Sequence, residues 1–448
     1  HLDAGATMVD FGGWDMPIQY PEGIIAEHLY CRRHCGIFDV SHMGRIDVEG
    51  PDQVAFLQHV LSSNVLALDL NQAQYCIIPD ANGYAIDDAY LYRFEEGKYF
   101  LVINAGNIDK DWAHLMNEAK NFDVKLTNVS DKYAAIAVQG PESKKILMTL
   151  SGGRQLTPEN VKNALNSLTM EGKPVRIAKT GYTGEPIGYE LYCNSEDARY
   201  FWDRLIELGA KPTALGARDT TRMEAALPLY GHEMGECEMG GEIQIYAVPL
   251  AKFAVSFDEA KGDFIGREPL KKQFEALKKI MNRDYSSIED LPYRIQPIYL
   301  EGKGVLRKGF PIYCKDAWAE GKQIGYVTSG TMIPYYKTEG QGLESVFTDE
   351  TGKRSIGLAY MDSRICQDFD IEIDIRGRRQ PAKVVGYHIR QDAAPYVRPI
   401  LPDVKIETAA PSTGVSKIPG TGIVSLNIFK LTGIPDEAIP LLILFSSH

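Results

Sequence analysis

The chain has 448 residues, 44% of them hydrophobic and 24% charged, an ordinary globular composition that can bury a core without disulfide staples. Lys+Arg number 48 against 60 Asp+Glu, and a net charge of −12 does not supply the broad basic face of a nucleic-acid binder. Seven scattered cysteines without a CxxC pair read as reduced thiols, and no apolar run reaches the ~18 residues of a membrane span.

Length predicts about three domains, or two large ones. Over residues 51–64, Val54, Leu57 and Val60–Leu61 fall at helical spacing, with Pro51 suited to the first turn. Apolar alternation around the EEGK turn predicts a hairpin of Ala89–Phe94 with Tyr99–Asn104. Asp109–Ala119 has the pattern of an amphipathic helix, Tyr133–Gln139 that of a buried strand, and Pro141–Leu150 that of a helix. Strands interleaved with single helices predict an α+β region whose antiparallel sheet is covered on one face. The same grammar returns at 174–240, where GYTGEPIGYELYC precedes a helix over Ser195–Leu208 and another helix starts within GARDTTRMEAAL. From about Asp263, short strands and Gly/Pro turns predict a small β-barrel or sandwich, carrying insertions at 271–292 and 337–354. Beyond Pro402 a Pro/Ser/Thr/Gly stretch leads into a short apolar end.

Motifs for Rossmann cofactors, P-loop nucleotides, zincins and α/β-hydrolases are absent from the sequence. His28, Cys31, His34 and Cys35 carry zinc-type donors, but without the usual ligand spacing; they read as a helix with buried thiols ending at Gly36 as its C′ residue. Asp87-Asp88 opens an apolar strand, so one carboxylate points inward and its neighbour toward solvent. The inward one suits acid–base work or the stabilisation of a cation, while the alternative is turn chemistry beside Asn82-Gly83. GYTGEPIGYE (181–190) offers glycines for close backbone approach, tyrosine faces and carboxylates that can accept two hydrogen bonds, or else a plain Gly-rich turn. In GARDTTRMEAALPLYGHE (216–233), Arg218 can clamp a carboxylate, and Arg222 with Glu224 can equally be a solvated helix face.

Taken in order, MVDFGGWDMPIQY (8–20), GIFDVSHMGRIDVEG (36–50), GYAIDDAYLY (83–92), INAGN (103–107), GYTGE (181–185), ARDTTRMEAALPLYGHE (217–233), GDFIGREPL (262–270), IGYVTSG (324–330) and IGLAYM (356–361) resemble the glycine-cleavage T-protein family, the aminomethyltransferases. The likeness spans roughly residues 1–400. It implies an α+β, three-domain cloverleaf of antiparallel-sheet domains and a C-terminal β-barrel or jelly-roll-like domain around a central folate channel. The expected division is residues 1–262 as a folate-binding region of two interleaved α+β subdomains, 51–134 forming the second. Residues 263–401 are then the barrel-like domain, and 402–448 an extension whose role the sequence does not disclose.

The resemblance further implies transfer of a methylene carbon from the aminomethyl-lipoyl arm of H-protein to tetrahydrofolate, the acceptor substrate, with release of ammonia and formation of 5,10-methylenetetrahydrofolate. On the family's pattern Asp88 is the essential acid. Tyr75, Tyr92 and Tyr182 line the folate, Glu190 holds the pterin amino edge, Arg218 is the arginine of the ARD motif, and Tyr396 lies near the substrate channel. The pattern is broken by one extra residue ahead of Glu190, by the two insertions, by the tail, and at GGEIQIYAVPLAKFAVSF (240–257). Those breaks bear on the donor side and keep a tetrahydrofolate-dependent demethylase as the alternative. A folate-binding iron–sulfur assembly factor is a further alternative whose Lys-x-Cys-[Phe/Tyr]-x-Gly-Gln-Glu signature is not found. No metal, membrane or nucleic-acid partner is implied. The expected compartment is the cytoplasm, or the mitochondrial matrix if a transit peptide preceded His1.

Overall fold

Alternating side chains build two antiparallel sheets that share one buried seam. They are seen in a computed structural model that describes residues 1–389 except 160, 316–318, 368 and 387. Tyr396 and the 402–448 extension lie outside the described residues. A hairpin of β1 (Thr7–Phe11) and β2 (Trp14–Gln19) precedes helix α1 (Gly23–Arg33) and strand β3 (Gly36–Asp39). There follow β4 (Gly44–Glu49), α2 (Gln53–Val60), β5 (Gln72–Pro79), β6 (Ala85–Glu95), β7 (Lys98–Ile103), α3 (Ile108–Glu118) and β8 (Lys125–Asn128). Their strands form a sheet ordered β5-β6-β7-β4-β8. Phe56, Leu57 and Val60 of α2 and Leu115 of α3 recur at helical spacing and bury against Ile46, Leu91 and Leu101 on its outer face.

The second sheet takes β3 together with β9 (Tyr133–Gln139), then, around α4 (Ser143–Leu150), β10 (Leu165–Met170), β11 (Lys173–Ala178) and β12 (Gly188–Asn194), and, after α5 (Ala198–Glu207), β13 (Lys211–Pro212). Its order is β10-β11-β12-β9-β3-β13, antiparallel except where β13 runs parallel to β3. Helices α4 and α5 cover one face with Ile146, Leu147, Phe201 and Leu205. The other face is packed against the first sheet, Phe38, Ala137 and Tyr192 meeting Tyr92, Phe94 and Phe100. Each sheet thus has helices on one side and its partner sheet on the other.

Next come α6 (Leu215–Glu224), the two-residue strands β14 (Gly235–Glu236) and β15 (Glu242–Ile243), α7 (Ala251–Ala254) and α8 (Arg267–Met281). Much of the expected insertion at 271–292 is the body of α8. It is tied into the core, since Gln273 Nε2 donates to Gly83 O at 3.0 Å and Gln273 Oε1 accepts from Tyr246 N at 3.1 Å. The run that departs from the family pattern at 240–257 is also core, with Ile243, Ile245, Tyr246 and Val248 buried.

Strands β16 (Tyr293–Leu300), β17 (Pro311–Cys314), β18 (Gln323–Glu339), β19 (Val346–Asp362), β20 (Asp370–Ile375) and β21 (Arg378–Val384) pair in the order β16-β19-β18-β17-β20-β21. Because β16 also pairs with β21, this sheet closes on itself around Ile298, Ile312, Val327 and Ile371. The second insertion, 337–354, is the outer part of the long β18–β19 hairpin. Arg33 of α1 meets that arm: Nη1 lies 2.7 Å from Asp349 Oδ1 and the guanidinium 4.0 Å over the Tyr336 ring.

Gly36 does not end the preceding helix as expected. Helix α1 stops at Arg33 and Gly36 opens β3, where an added Cβ would stand 2.7 Å from Thr213 Oγ1 and 3.2 Å from Cys31 Cβ. Glycine is required there by the close approach of the β13 segment and of α1.

Candidate functional site

Strand β6 carries the first half of the site, because its alternation sends Ala85, Asp87, Ala89 and Leu91 to one face and Asp88, Tyr90 and Tyr92 to the other. The turn chemistry expected of the aspartate pair belongs to Asp80. Its Oδ1 accepts from Asn82 N at 2.9 Å and from Tyr84 N at 2.8 Å, and Gly83 sits at φ 82°. Nor does either aspartate of the pair point freely to solvent. Asp87 is fully buried, its Oδ1 accepting from Asn107 Nδ2 at 2.6 Å and from Asn104 Nδ2 at 2.9 Å, its Oδ2 from Asn104 N at 2.9 Å.

Asp88, on the inner face, accepts from Tyr75 Oη at 3.0 Å through Oδ2 and from Asn104 Nδ2 at 2.8 Å through Oδ1. Burial first, then the charge of Asp87, push its pKa up to about 7, although the hydrogen bonds from Tyr75 and Asn104 pull the other way. Asp88 is therefore poised near neutrality between acid and carboxylate.

From Asp88 the side chains run in a ring. The Tyr75 ring lies 5.7 Å from Tyr90, Tyr90 lies 5.9 Å from Tyr92, and Tyr92 Oη donates to Glu190 Oε2 at 2.8 Å. Glu190 projects from β12 in the second sheet, and its Oε2 also accepts from Thr180 Oγ1 at 2.7 Å and Tyr192 Oη at 3.2 Å. Its Oε1 meets no donor among the described residues. Glu190 and Tyr182 both stand within electrostatic reach of Arg218 on α6, whose guanidinium lies 5.0 Å over the Tyr182 ring. Burial lowers the pKa of Arg218, and its Nη1 is buried without a hydrogen-bond partner among the described residues. Tyr182, anchored by donation from its hydroxyl to Pro228 O, closes the ring within reach of Asp88 and Tyr75.

The structure thus brings together Asp88, Tyr75, Tyr92, Tyr182, Glu190 and Arg218 from both sheets and α6. Tyr90, Tyr192 and Asn104 join them without having been singled out in the sequence. Tyr90 shares the two-residue period of Asp88 and Tyr92, and Tyr192 that of Glu190, which was the available signal. For Asn104 there was only its place in the INAGN motif.

The glycines of 181–190 serve the protein's own packing. A Cβ on Gly181 would fall 2.0 Å from Gln139 Oε1, and one on Gly184 would fall 2.4 Å from the Ala225 Cβ. Nor is α6 a solvated face. Arg222, 1% exposed, reaches Asp219 Oδ1 at 2.8 Å, Glu233 Oε2 at 3.1 Å and Ser329 Oγ of β18 at 2.9 Å. Glu224 meets Arg32 at 2.9 Å, Arg354 of β19 at 2.9 Å and His28 at 3.2 Å. These bonds tie α6 to α1 and to the barrel strands.

The four zinc-type residues engage separate partners. His28 Nδ1 lies 2.9 Å from Thr220 Oγ1 and His34 Nδ1 lies 3.3 Å from Glu142. Cys31 and Cys35 are buried, the Cys31 thiol pushed up to about 12 by burial. Among the described residues no group of three or more His, Cys, Asp and Glu is arranged to hold a metal ion. All seven cysteines are free, and no described helix is long and apolar enough to cross a membrane.

Fold and site together define a mixed α/β protein of several antiparallel sheets, with a ring of acidic and aromatic side chains between two of them. Residues 1–246 match the GCVT N-terminal domain family. An aminomethyltransferase of Deinococcus deserti is 38% identical over 385 residues, covering 85% of this chain and 92% of that protein. One of Bacillus mycoides is 38% identical over 393 residues, covering 85% and 93%. The crystal structure of glycine cleavage system aminomethyltransferase T from Bartonella henselae superposes with a TM-score of 0.69 at 25% identity, covering 88% of this chain and 96% of that one. The chain belongs to the aminomethyltransferase family, the T-proteins of the glycine cleavage system.

Proposed function

We propose that this enzyme transfers the methylene carbon of an aminomethyl-lipoyl arm, presented by H-protein, to tetrahydrofolate. In the balanced reaction the carbon loses its bonds to sulfur and to the amine and gains bonds to the folate N5 and N10. The two N–H protons leave with the dihydrolipoyl thiol and with ammonia. Folate would lie in a channel at the centre of a three-domain cloverleaf, beside the seam between the two sheets.

The observation that carries this reading is the ring itself, with a carboxyl poised near neutrality on one side and Glu190 on the other. Glu190 Oε1 is an acceptor without a donor of its own, suited to the two-donor 2-amino/N3 edge of a pterin. Tyr75, Tyr90, Tyr92 and Tyr182 supply flat faces for the aromatic rings. Asp88 as carboxylate stabilises the positive charge that develops on the carbon as ammonia leaves, and it can take up a proton from the attacking nitrogen. Arg218, with Nη1 unpartnered among the described residues, is suited to a carboxylate of the substrate. The free cysteines fit a reducing compartment, which we take to be the cytoplasm.

The test is ammonia release from aminomethyl-lipoyl H-protein with and without tetrahydrofolate. Folate-dependent release coupled to methylenetetrahydrofolate formation is expected. Tight folate binding with no release would overturn the donor assignment and turn the reading to a demethylase.

A further inference from the structure

Asp111 lies in the first turn of α3, which packs against β6 and the 105–107 turn, and it is fully buried. Both of its carboxyl oxygens are shut off from solvent, and no N–H or O–H donor reaches them among the described residues. The group it meets is Asp87, which is equally buried. The two carboxyls are not equivalent. Asp87 accepts three amide N–H bonds, from Asn104 N, Asn104 Nδ2 and Asn107 Nδ2, the setting of an anion, while Asp111 has none. Adjacent buried carboxyls cannot both ionise, so the one without donors keeps the proton.

We propose that Asp111 is a positioning residue of the reaction, a protonated acid whose O–H donates to Asp87 and fixes that side chain as the single anion of the pair; its bearing on turnover rests on the aminomethyltransferase reading. The pair's one negative charge then sets the orientation of the Asn104 amide. That amide spans the pair and Asp88, with Nδ2 at 2.9 Å from Asp87 Oδ1 and 2.8 Å from Asp88 Oδ1. The chain Asp111, Asp87, Asn104, Asp88, Tyr75 is thus ordered by a proton on its first member.

The titration of Asp111 agrees with this arrangement, burial first and the Asp87 charge second pushing its pKa up to about 10. The other charged or titratable groups facing the pair among the described residues are Lys110, Asp88, Tyr230 and, toward Asp87, the Cys76 thiol of β5. Lys110 pulls Asp111 down and Asp88 pushes it up, while the Lys110 ammonium is bonded to Tyr230 Oη at 2.8 Å.

Infrared spectroscopy tests this without reference to turnover. At about pH 8.5, above the range in which Asp88 titrates, the wild-type protein should show the C=O stretch of a protonated carboxyl, shifted in deuterium oxide and missing from D111N. In the turnover assay the Asn of D111N can still donate to the position-87 carboxylate, so its pH profile should stay where the wild type has it. D111V offers no donor and should lose kcat by about tenfold or more, with the KM for tetrahydrofolate little changed. Absence of the band from the wild type, its persistence in D111N, or equal damage in D111N and D111V would overturn the proposal. If H-protein-dependent ammonia release fails altogether, the functional reading falls while the infrared result still decides the proton.

Discussion

Asn104 and Asp88 meet at 2.8 Å through Nδ2 and Oδ1, while the same nitrogen lies 2.9 Å from Asp87 on the opposite face of β6. One amide at the end of β7 therefore holds two carboxylates that the strand's alternation would otherwise send apart.

The pH dependence of turnover should report that coupling. With Asp88 raised to about 7 and needed as a carboxylate, kcat/KM should rise with pH through neutrality. N104A removes a donor that favours the ionised form, so the rising limb should move to higher pH. D88N should lower kcat by ~10²-fold or more with folate affinity nearly unchanged, as expected for loss of charge stabilisation in the transition state. A flat profile across neutrality, or full turnover in D88N, would contradict the role given to Asp88.

Tyr75 donates to the other oxygen of Asp88, at 3.0 Å. Y75F keeps the aromatic face and removes only that bond, which is worth about 1–2 kcal/mol to a carboxylate. The limb should therefore move up by about one pH unit. Folate binding, followed by the substrate's own absorbance or by calorimetry, should change little. A large loss of folate affinity in Y75F would instead make the hydroxyl a substrate contact.

How far the sequence reaches is clear at β6. A two-residue period places Asp88, Tyr90 and Tyr92 on one face by local rules alone. The same rules predicted a solvent-facing partner for Asp88, because nothing local announces that Asn104, Asn107 and Asp111 close over Asp87. Tyr92 and Glu190 stand 98 residues apart and meet because two sheets pack face to face, a relation the resemblance supplied and spacing did not. Arg222 and Glu224 look like a solvated face since α6 is charged along its length. They are buried because Arg32 comes from α1 and Ser329 and Arg354 from the barrel. The glycines of GYTGE announce close approach correctly, yet what approaches is Gln139 and Ala225.

Glu190 is held by three hydroxyls on one oxygen, so its orientation does not depend on a ligand. E190Q keeps the shape and removes the charge. It should weaken tetrahydrofolate binding by about ten- to a hundredfold, the range for losing a charge-assisted hydrogen bond pair. Y92F removes one of the three donors and should cost about tenfold or less. Calorimetric titration of folate onto the folded variants checks both, and unaltered affinity in E190Q would remove Glu190 from the binding site.

Glu224 joins α1, α6 and the β18–β19 hairpin through Arg32, His28 and Arg354. Burial opposes its ionisation, but those three groups outweigh burial and hold its pKa well below the usual carboxylate range. E224A takes away the carboxylate that faces Arg354 and His28, leaves Arg32 paired with Glu185 at 2.6 Å, and should destabilise the protein by about 3 kcal/mol at neutral pH. The sign with pH follows from the direction of the shift. A depressed carboxylate gives its full stabilisation above its unfolded pKa and loses it as pH falls toward the folded one. The gap in unfolding free energy between wild type and E224Q should accordingly be largest at neutral pH and narrow as the solution is acidified below about pH 4.5. Urea unfolding at a series of pH values measures this directly. A gap constant with pH would mean that Glu224 contributes by shape and not by charge.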